Sequence, residues 1–273
     1  TCSYLSGKFS LPYFGADDYP MGNEIKEDKT ECLTDAGKIA KMIAQTDYAI
    51  AADPLRVVMN GIYFDFYSDN LSLVASDGHK LSLCQDKTIQ GIEGKSFILT
   101  AKSAHILASL LSKEEGQIKI AFDGNNVSIN SHDFKLVSKL IEGRYPNYKA
   151  VIPTESRIKV TINRDDLQSA LKRVMPMSNA DTEIVKFAFS PNLLTVSCED
   201  IDFSKSASEM VQCDAAEEFT IAFKGSAILQ SLQVIDGDDV VMEMTESSRA
   251  GVLRGKTEEN YSHISLVMPM LIE

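Results

Sequence analysis

The feature that most constrains this chain is that it repeats itself. Phe97-Ile98-Leu99-Thr100-Ala101-Lys102 and the following Ile106-Leu107-Ala108-Ser109-Leu110 read without gaps against Phe219-Thr220-Ile221-Ala222-Phe223-Lys224 and Ile228-Leu229-Gln230-Ser231-Leu232. Tandem repetition of this kind dictates two units of one architecture rather than a single undivided core. A length of 273 residues suits two domains at roughly 100 to 200 residues each. Both copies read as a short strand running into a helix. Apolar side chains at i, i+1 and i+4 give that helix the stripe it needs to lie on a sheet. The gapless alignment makes Lys102 and Lys224 equivalent.

A second helix is predicted earlier in each half. The first runs from Asp35 to Tyr48, with Ile39, Met42 and Ile43 on one face. The other runs from Arg164 to Met175, with Leu167, Ala170, Leu171 and Val174 on one face and Asn163 as N-cap. Between the helices the period changes to two. Leu71, Leu73 and Ala75 alternate with Ser72, Val74 and Ser76, and Ile118, Ile120 and Phe122 alternate with Lys119, Ala121 and Asp123. Asp123-Gly124 and Asp236-Gly237 read as hairpin turns between such runs. Each half is therefore α+β, with two helices packed on antiparallel sheets of about eight strands. The halves end alike, in Ala150-Val151-Ile152-Pro153 and Leu266-Val267-Met268-Pro269. A partial echo at the front, Lys8-Phe9-Ser10-Leu11-Pro12 and then Gly15 to Pro20, resembles the tail of a preceding unit. The expected boundaries are a remnant over residues 1–23, a central unit over 24–153 and a C-terminal unit over 154–273.

Composition narrows the function. Hydrophobic residues make up 44% and charged residues 24%, enough apolar material for real cores. No stretch supplies the roughly 18 consecutive apolar residues of a membrane helix. Thr1-Cys2-Ser3-Tyr4-Leu5 lacks the basic start and apolar block of a secretory leader, so the chain reads as cytoplasmic, with an internal start. The cysteines, Cys2, Cys32, Cys84, Cys198 and Cys213, are widely spaced and form no C-x-x-C pair, which argues for reduced thiols rather than structural zinc. A net charge of -12 excludes a protein coated in nucleic acid, because phosphate binding needs clustered Lys and Arg. A local basic surface remains compatible with it.

Chemistry-bearing residues are sparse. Ser76-Asp77-Gly78-His79 admits a hydrolase reading with His79 as base and Asp77 as its orienting partner. Asp-Gly in the middle favours a turn instead. No nucleophile elbow, P-loop or dinucleotide fingerprint accompanies it. His105, His132 and His263 lack metal-ligand spacing, and Asp17-Asp18 is followed by Tyr19-Pro20 without further ligands. No metal or cofactor is expected.

Four blocks then carry a resemblance. Met59-Asn60-Gly61-Ile62-Tyr63-Phe64, Ala75-Ser76-Asp77-Gly78-His79-Lys80-Leu81, Ser138 to Tyr148 through Glu142-Gly143-Arg144-Tyr145-Pro146, and Val267-Met268-Pro269-Met270 resemble, in order, the signature blocks of the bacterial DNA polymerase III beta sliding clamp family. The resemblance implies the DNA clamp fold, a processivity factor without catalysis, and the absence of most of a first domain. It implies a head-to-tail homodimeric ring around duplex DNA, bound without regard to sequence. It also implies short-peptide partners: the DNA polymerase III alpha subunit, the clamp loader and repair polymerases. A peptide-docking module that does not encircle DNA is the alternative for a chain of this extent.

By matching blocks, the resemblance places a partner-peptide pocket at Met59, Ser76, Gly78, His79, Lys80, Leu81, Pro146 and Val151, joined by Val267, Met268, Pro269 and Met270. An apolar concavity with a polar edge suits an extended peptide with Leu or Phe anchors, and methionines let it repack around several partners. Ala150 stands where members often carry a basic residue, and Ala227 where some carry an aromatic. The residues expected to face DNA are Lys38, Lys41, Arg56, Lys102, Lys172, Arg173 and Lys224.

Overall fold

The computed structural model describes residues 1–19, 25–90 and 92–271. Pro20, which closes the front echo, residues 21–23 of the expected remnant, and Glu24 lie outside them. Strands β1 (Cys2–Tyr4) and β2 (Gly7–Phe9) form a small hairpin. Two units of one order follow. The first is β3 (Thr30–Asp35), α1 (Ala36–Thr46), β4 (Gly61–Phe66), β5 (Leu71–Ser76), β6 (Lys80–Asp86), β7 (Lys95–Thr100), α2 (Ala101–Leu111), β8 (Gln117–Phe122), β9 (Asn126–Asn130) and β10 (Lys135–Lys139). The second is β11 (Ile158–Asn163), α3 (Arg164–Val174), β12 (Ile184–Ser190), β13 (Leu193–Asp200), β14 (Lys205–Gln212), β15 (Phe219–Lys224), α4 (Gly225–Val234), β16 (Asp239–Met244), β17 (Gly251–Arg254) and β18 (Tyr261–Val267). A strand precedes the first helix of each unit, which the helical periodicity does not signal.

Caps fix the helix starts. Asp35 accepts from the Lys38 amide at 3.0 Å, Thr100 from Ser103 at 3.2 Å, and Asn163 from Asp165 and Asp166, both at 3.1 Å. The caps also correct the gapless alignment. Thr100 is the N-cap of α2 and Lys224 the residue in the same place before α4. Their strands agree, since Thr100 pairs with Gly61 at the start of β4 and Lys224 with Ile184 at the start of β12. Lys102 and Lys224 are therefore not equivalent; the shared Ile-Leu-x-Ser-Leu text is two residues out of step with the fold. Asp123-Gly124 does turn β8 into β9, whereas Asp236-Gly237 joins α4 to β16 and makes no hairpin.

Each unit encloses its own core. In the first, Ile39, Met42 and Ile43 of α1 and Leu107 of α2 meet Leu71, Leu73, Phe64 and Ile120. In the second, Leu167, Leu171 and Val174 of α3 and Ile228 and Leu232 of α4 meet Phe187, Val196 and Phe223. Fully burying one such side chain contributes roughly 1.5–3 kcal/mol. The two units share one eight-stranded sheet, ordered β11-β16-β17-β18-β6-β5-β4-β7. Its join is the antiparallel pair β18 and β6, from Tyr261 opposite Asp86 to Val267 opposite Lys80. A polar seam reinforces the join from the helix side. The Tyr48 hydroxyl bonds Ser265 at 2.7 Å and Ser231 at 3.2 Å, and the Gln45 amide donates to the Val234 carbonyl at 2.7 Å.

The outer face of that shared sheet carries a third cluster of Val74, Leu81, Leu83, Tyr145, Tyr148, Ile264 and Leu266. This explains why β5 is buried on both faces despite its alternating text. Leu71, Leu73 and Ala75 enter the first core, and Val74 lies under the connector between the units.

Candidate functional site: an apolar pocket where the two units join

The turn from β5 to β6 builds one wall. Asp77 Oδ1 accepts from the amides of His79 and Lys80, both at 2.8 Å, and Oδ2 pairs with Lys80 Nζ at 2.6 Å. Burial pushes the Asp77 carboxyl up, but the Lys80 ammonium and the two amides outweigh it and hold it below the usual range. Gly78 takes φ +89, and an added Cβ would lie 2.5 Å from Arg56 Nη1, which donates to the Asp77 carbonyl at 2.7 Å. Glycine satisfies both demands. Every strong acceptor of Asp77 is committed to this turn. It does not orient the His79 ring, and the hydrolase reading has no geometry behind it. Among the described residues no group of three or more His, Cys, Asp or Glu is arranged to hold a metal.

The C-terminal segment ties itself to that turn. The Met268 amide donates to the His79 carbonyl at 2.8 Å, Pro269 bridges to Phe223, and the Met270 amide donates to the Ala222 carbonyl at 2.8 Å. The chain thus leaves the shared sheet and crosses to β15. The opposite wall is the connector after β10. Tyr145 stacks on Tyr63 with centroids 4.7 Å apart, and the Tyr148 hydroxyl donates to Asp65 at 2.9 Å.

Between these walls lies a cavity of about 160 Å3 whose lining includes Met59, Ser76, Gly78, His79, Lys80, Leu81, Pro146, Val151 and Met268. The floor is Leu81 of the first unit opposite Leu266 of the second. Val151 and Met268 leave apolar surface exposed at the rim, at 53% and 40%. Three sequence-derived pocket residues are not on this wall. Val267 is 1% exposed and belongs to the second core, because alternate residues of a strand face opposite ways. Pro269 and Met270 are held against β15 and anchor the segment instead. The lining also includes Tyr145, Asn147, Tyr148 and Leu266. The period-two relation of Leu266 to Met268 signals the last of these. The three connector residues fall inside the Ser138 to Tyr148 block.

The basic residues expected to face DNA divide by their pairing. Lys41 sits 2.9 Å from Asp236 and 3.5 Å from Glu258, and Lys38 donates to Thr88 at 2.8 Å beside Asp86 at 3.7 Å. Arg173 holds Glu209 with both Nε at 2.6 Å and Nη2 at 2.7 Å, and Lys224 lies 3.6 Å from Glu183. Arg56 belongs to no helix and braces the pocket turn. Among the described residues only Lys102 and Lys172 of this set have no carboxylate within ion-pair distance, and both are exposed.

Two copies of one α+β unit, sharing a sheet and an apolar pocket at the join, define the class of DNA-clamp proteins. Residues 34–147 match the family model of the DNA polymerase III beta subunit, central domain, and residues 149–271 that of its C-terminal domain. The chain belongs to the DNA polymerase III beta subunit, or beta sliding clamp, family. It is 25% identical over 264 residues to the beta sliding clamp of Pseudomonas putida, covering 96% of this chain and 71% of that protein. Over 263 residues it is 25% identical to that of Escherichia coli (strain K12), with the same coverage. A sliding clamp of Pseudomonas aeruginosa bound to griselimycin superposes with a TM-score of 0.89 at 25% identity, covering 95% of this chain and 70% of that one. The beta subunit of Thermotoga maritima superposes with 0.86 at 27% identity, over 95% and 70%. No helix among the described residues is long and apolar enough to cross a membrane.

Proposed function

We propose that this chain works as a sliding clamp: part of a ring that surrounds duplex DNA and tethers polymerases and other peptide-bearing partners to it, with no catalytic step of its own. The observation that carries the reading is the convergence of Leu81 from one unit and Leu266 and Met268 from the other on a single apolar cavity. A site of that shape accepts the Leu or Phe side chains of an extended peptide. The alpha subunit of DNA polymerase III, the clamp loader and repair polymerases are the partners that the family relationship suggests.

Residues 1–23 are assigned to the end of a first clamp domain, and residues 24–153 and 154–273 to the second and third. Ring closure head to tail is supported by β14, which pairs only with β13 among the described residues and presents Met210 at 72% exposure. An open edge of this kind invites a strand from another unit. Lys102 and Lys172 contact phosphates without reading sequence, which suits movement along DNA. Retention comes from topology, and the tether raises the local concentration of a polymerase that lets go.

Calorimetric titration of the chain with a peptide carrying Leu and Phe anchors tests the docking function. One-to-one binding with a negative heat-capacity change is expected from apolar burial. Absence of binding at millimolar peptide removes it.

A further inference from the structure

A second depression, of about 330 Å3, adjoins the pocket on the same face of the shared sheet, and Tyr148 lines both. The pocket floor uses Leu81 and Leu266; the depression uses Leu83 and Ile264, one two-residue step further along the same paired strands. That step is about 7 Å, the span of about two residues of extended peptide.

The charge of this depression departs from the rest of the molecule. On a chain with net charge -12, its charged lining residues are Lys149 and Arg254, accompanied by the neutral polar groups of Gln85, Thr154 and Ser262, and no carboxylate lines it. Lys149 Nζ rests 4.0 Å over the Tyr67 ring and has no ion-pair partner among the described residues. Arg254 engages Glu243 through Nε alone, at 2.8 Å, and Lys159 takes the same carboxylate at 3.1 Å. Within ion-pair distance these two cations share the one carboxylate of Glu243, the neighbouring Glu155 pairing with neither, so Arg254 is only partly paired beside the groove.

We infer that this depression is the seat of an acidic residue in the partner peptide, placed about two residues beyond the anchor that fills the pocket, with Lys149 and Arg254 receiving its carboxylate. The inference rests on the docking function proposed above and adds to it a charge preference outside the anchor. Continuity through Tyr148 supplies the path, and the unpaired Lys149 with the partly paired Arg254 supplies the selectivity.

The test is fluorescence anisotropy on the full chain with three peptides: a Leu/Phe anchor alone, the anchor extended by Gly-Glu-Glu, and the anchor extended by Gly-Gln-Gln. The extension is placed at each end in turn. At low salt the glutamate tail at one end tightens binding about fivefold over the glutamine tail, the scale of a favourable exposed ion pair. Lys149→Glu abolishes that gain while leaving the bare anchor within about twofold, and a Gly-Lys-Lys tail recovers it in that variant. Equal affinity for glutamate and glutamine tails at both ends, or a gain that survives both Lys149→Glu and Arg254→Gln, overturns the inference while the pocket stands. Failure of all three peptides to bind overturns both.

Discussion

Leu81 and Leu266 stand directly opposite each other in the β6 and β18 ladder, one from each unit, and together they form the floor of the pocket. The site therefore exists only while the two units remain joined. The residues around that pair differ in what they hold up. Leu81 is 2% exposed and Met268 40% exposed, so they separate binding from folding.

Met268→Ala is expected to weaken an anchor peptide about tenfold while shifting the melting temperature little, because the side chain is a rim group left 40% exposed. Leu81→Ala loses the peptide too but also costs about 2–5 kcal/mol of stability through the cavity it leaves. Urea unfolding run beside peptide titration checks both. Unchanged peptide affinity in the Met268→Ala, Leu81→Ala double variant would remove the pocket assignment.

Gly61→Ala should be among the most damaging single substitutions in the chain. An added Cβ would lie 2.1 Å from the Leu99 carbonyl oxygen, on the neighbouring strand β7. Backbone cannot give way there without breaking the ladder, and a cost above about 3 kcal/mol follows. A denaturation midpoint within experimental scatter of the parent's would contradict the packing at β4 and β7.

The repeat, the helix faces and the Asn163 cap were legible because they are written locally, in spacing and in single capping residues. The register of the repeat was not, because Ile-Leu-x-Ser-Leu recurs two residues out of step and only the pairing of Thr100 with Gly61 and Lys224 with Ile184 decides it. Asp236-Gly237 carries the same text as a hairpin turn but follows a helix. The helix lysines looked alike in sequence. Glu209 and Asp236, which neutralise Arg173 and Lys41, lie far away in the chain and come close only through folding. Alternation likewise said which residues of β5 share a face, yet not that the connector bearing Tyr145 and Tyr148 would cover the second face.

That pairing yields a prediction for DNA. Lys102→Ala and Lys172→Ala together should lower the salt dependence of duplex binding by about two phosphate contacts, a slope change near 0.9 for each. Arg173→Ala should alter it little, since Glu209 already takes the Nε and Nη2 edge of the guanidinium with both carboxylate oxygens. Binding isotherms over a range of salt decide the matter. An Arg173→Ala effect equal to that of Lys102→Ala would mean that the ion pair opens for DNA and that pairing in the free protein is a poor guide to the contact surface.

The seam between the units makes the whole molecule sensitive to acid through His263. This side chain lies on β18 opposite Cys84, its Nε2 is 2.9 Å from the Ser82 hydroxyl, and its Nδ1 has no hydrogen-bond partner among the described residues. Burial, set against the nearby Asp236 carboxylate and reinforced by the Lys41 ammonium, pushes its pKa down from 6.5 to about 4. The folded value is thus below the unfolded one. Above about pH 6.5 the ring is neutral in both states and carries no penalty. Between pH 6.5 and 4 the unfolded chain takes up a proton that the folded chain refuses, so stability declines through that window, by on the order of 3 kcal/mol in total. Burial pushes the carboxyls of Asp236 and Glu243 up, but Lys41 and Arg254 outweigh it and hold both low, so their contribution is lost as pH falls from the ordinary carboxylate range of about 4 downward. The His263→Gln variant isolates the histidine: subtracting its unfolding free energy from that of the parent, pH by pH, should leave a slope confined to pH 6.5 to 4. A flat difference would show that the ring admits a proton at no cost, and that the seam is open to water on its helix side.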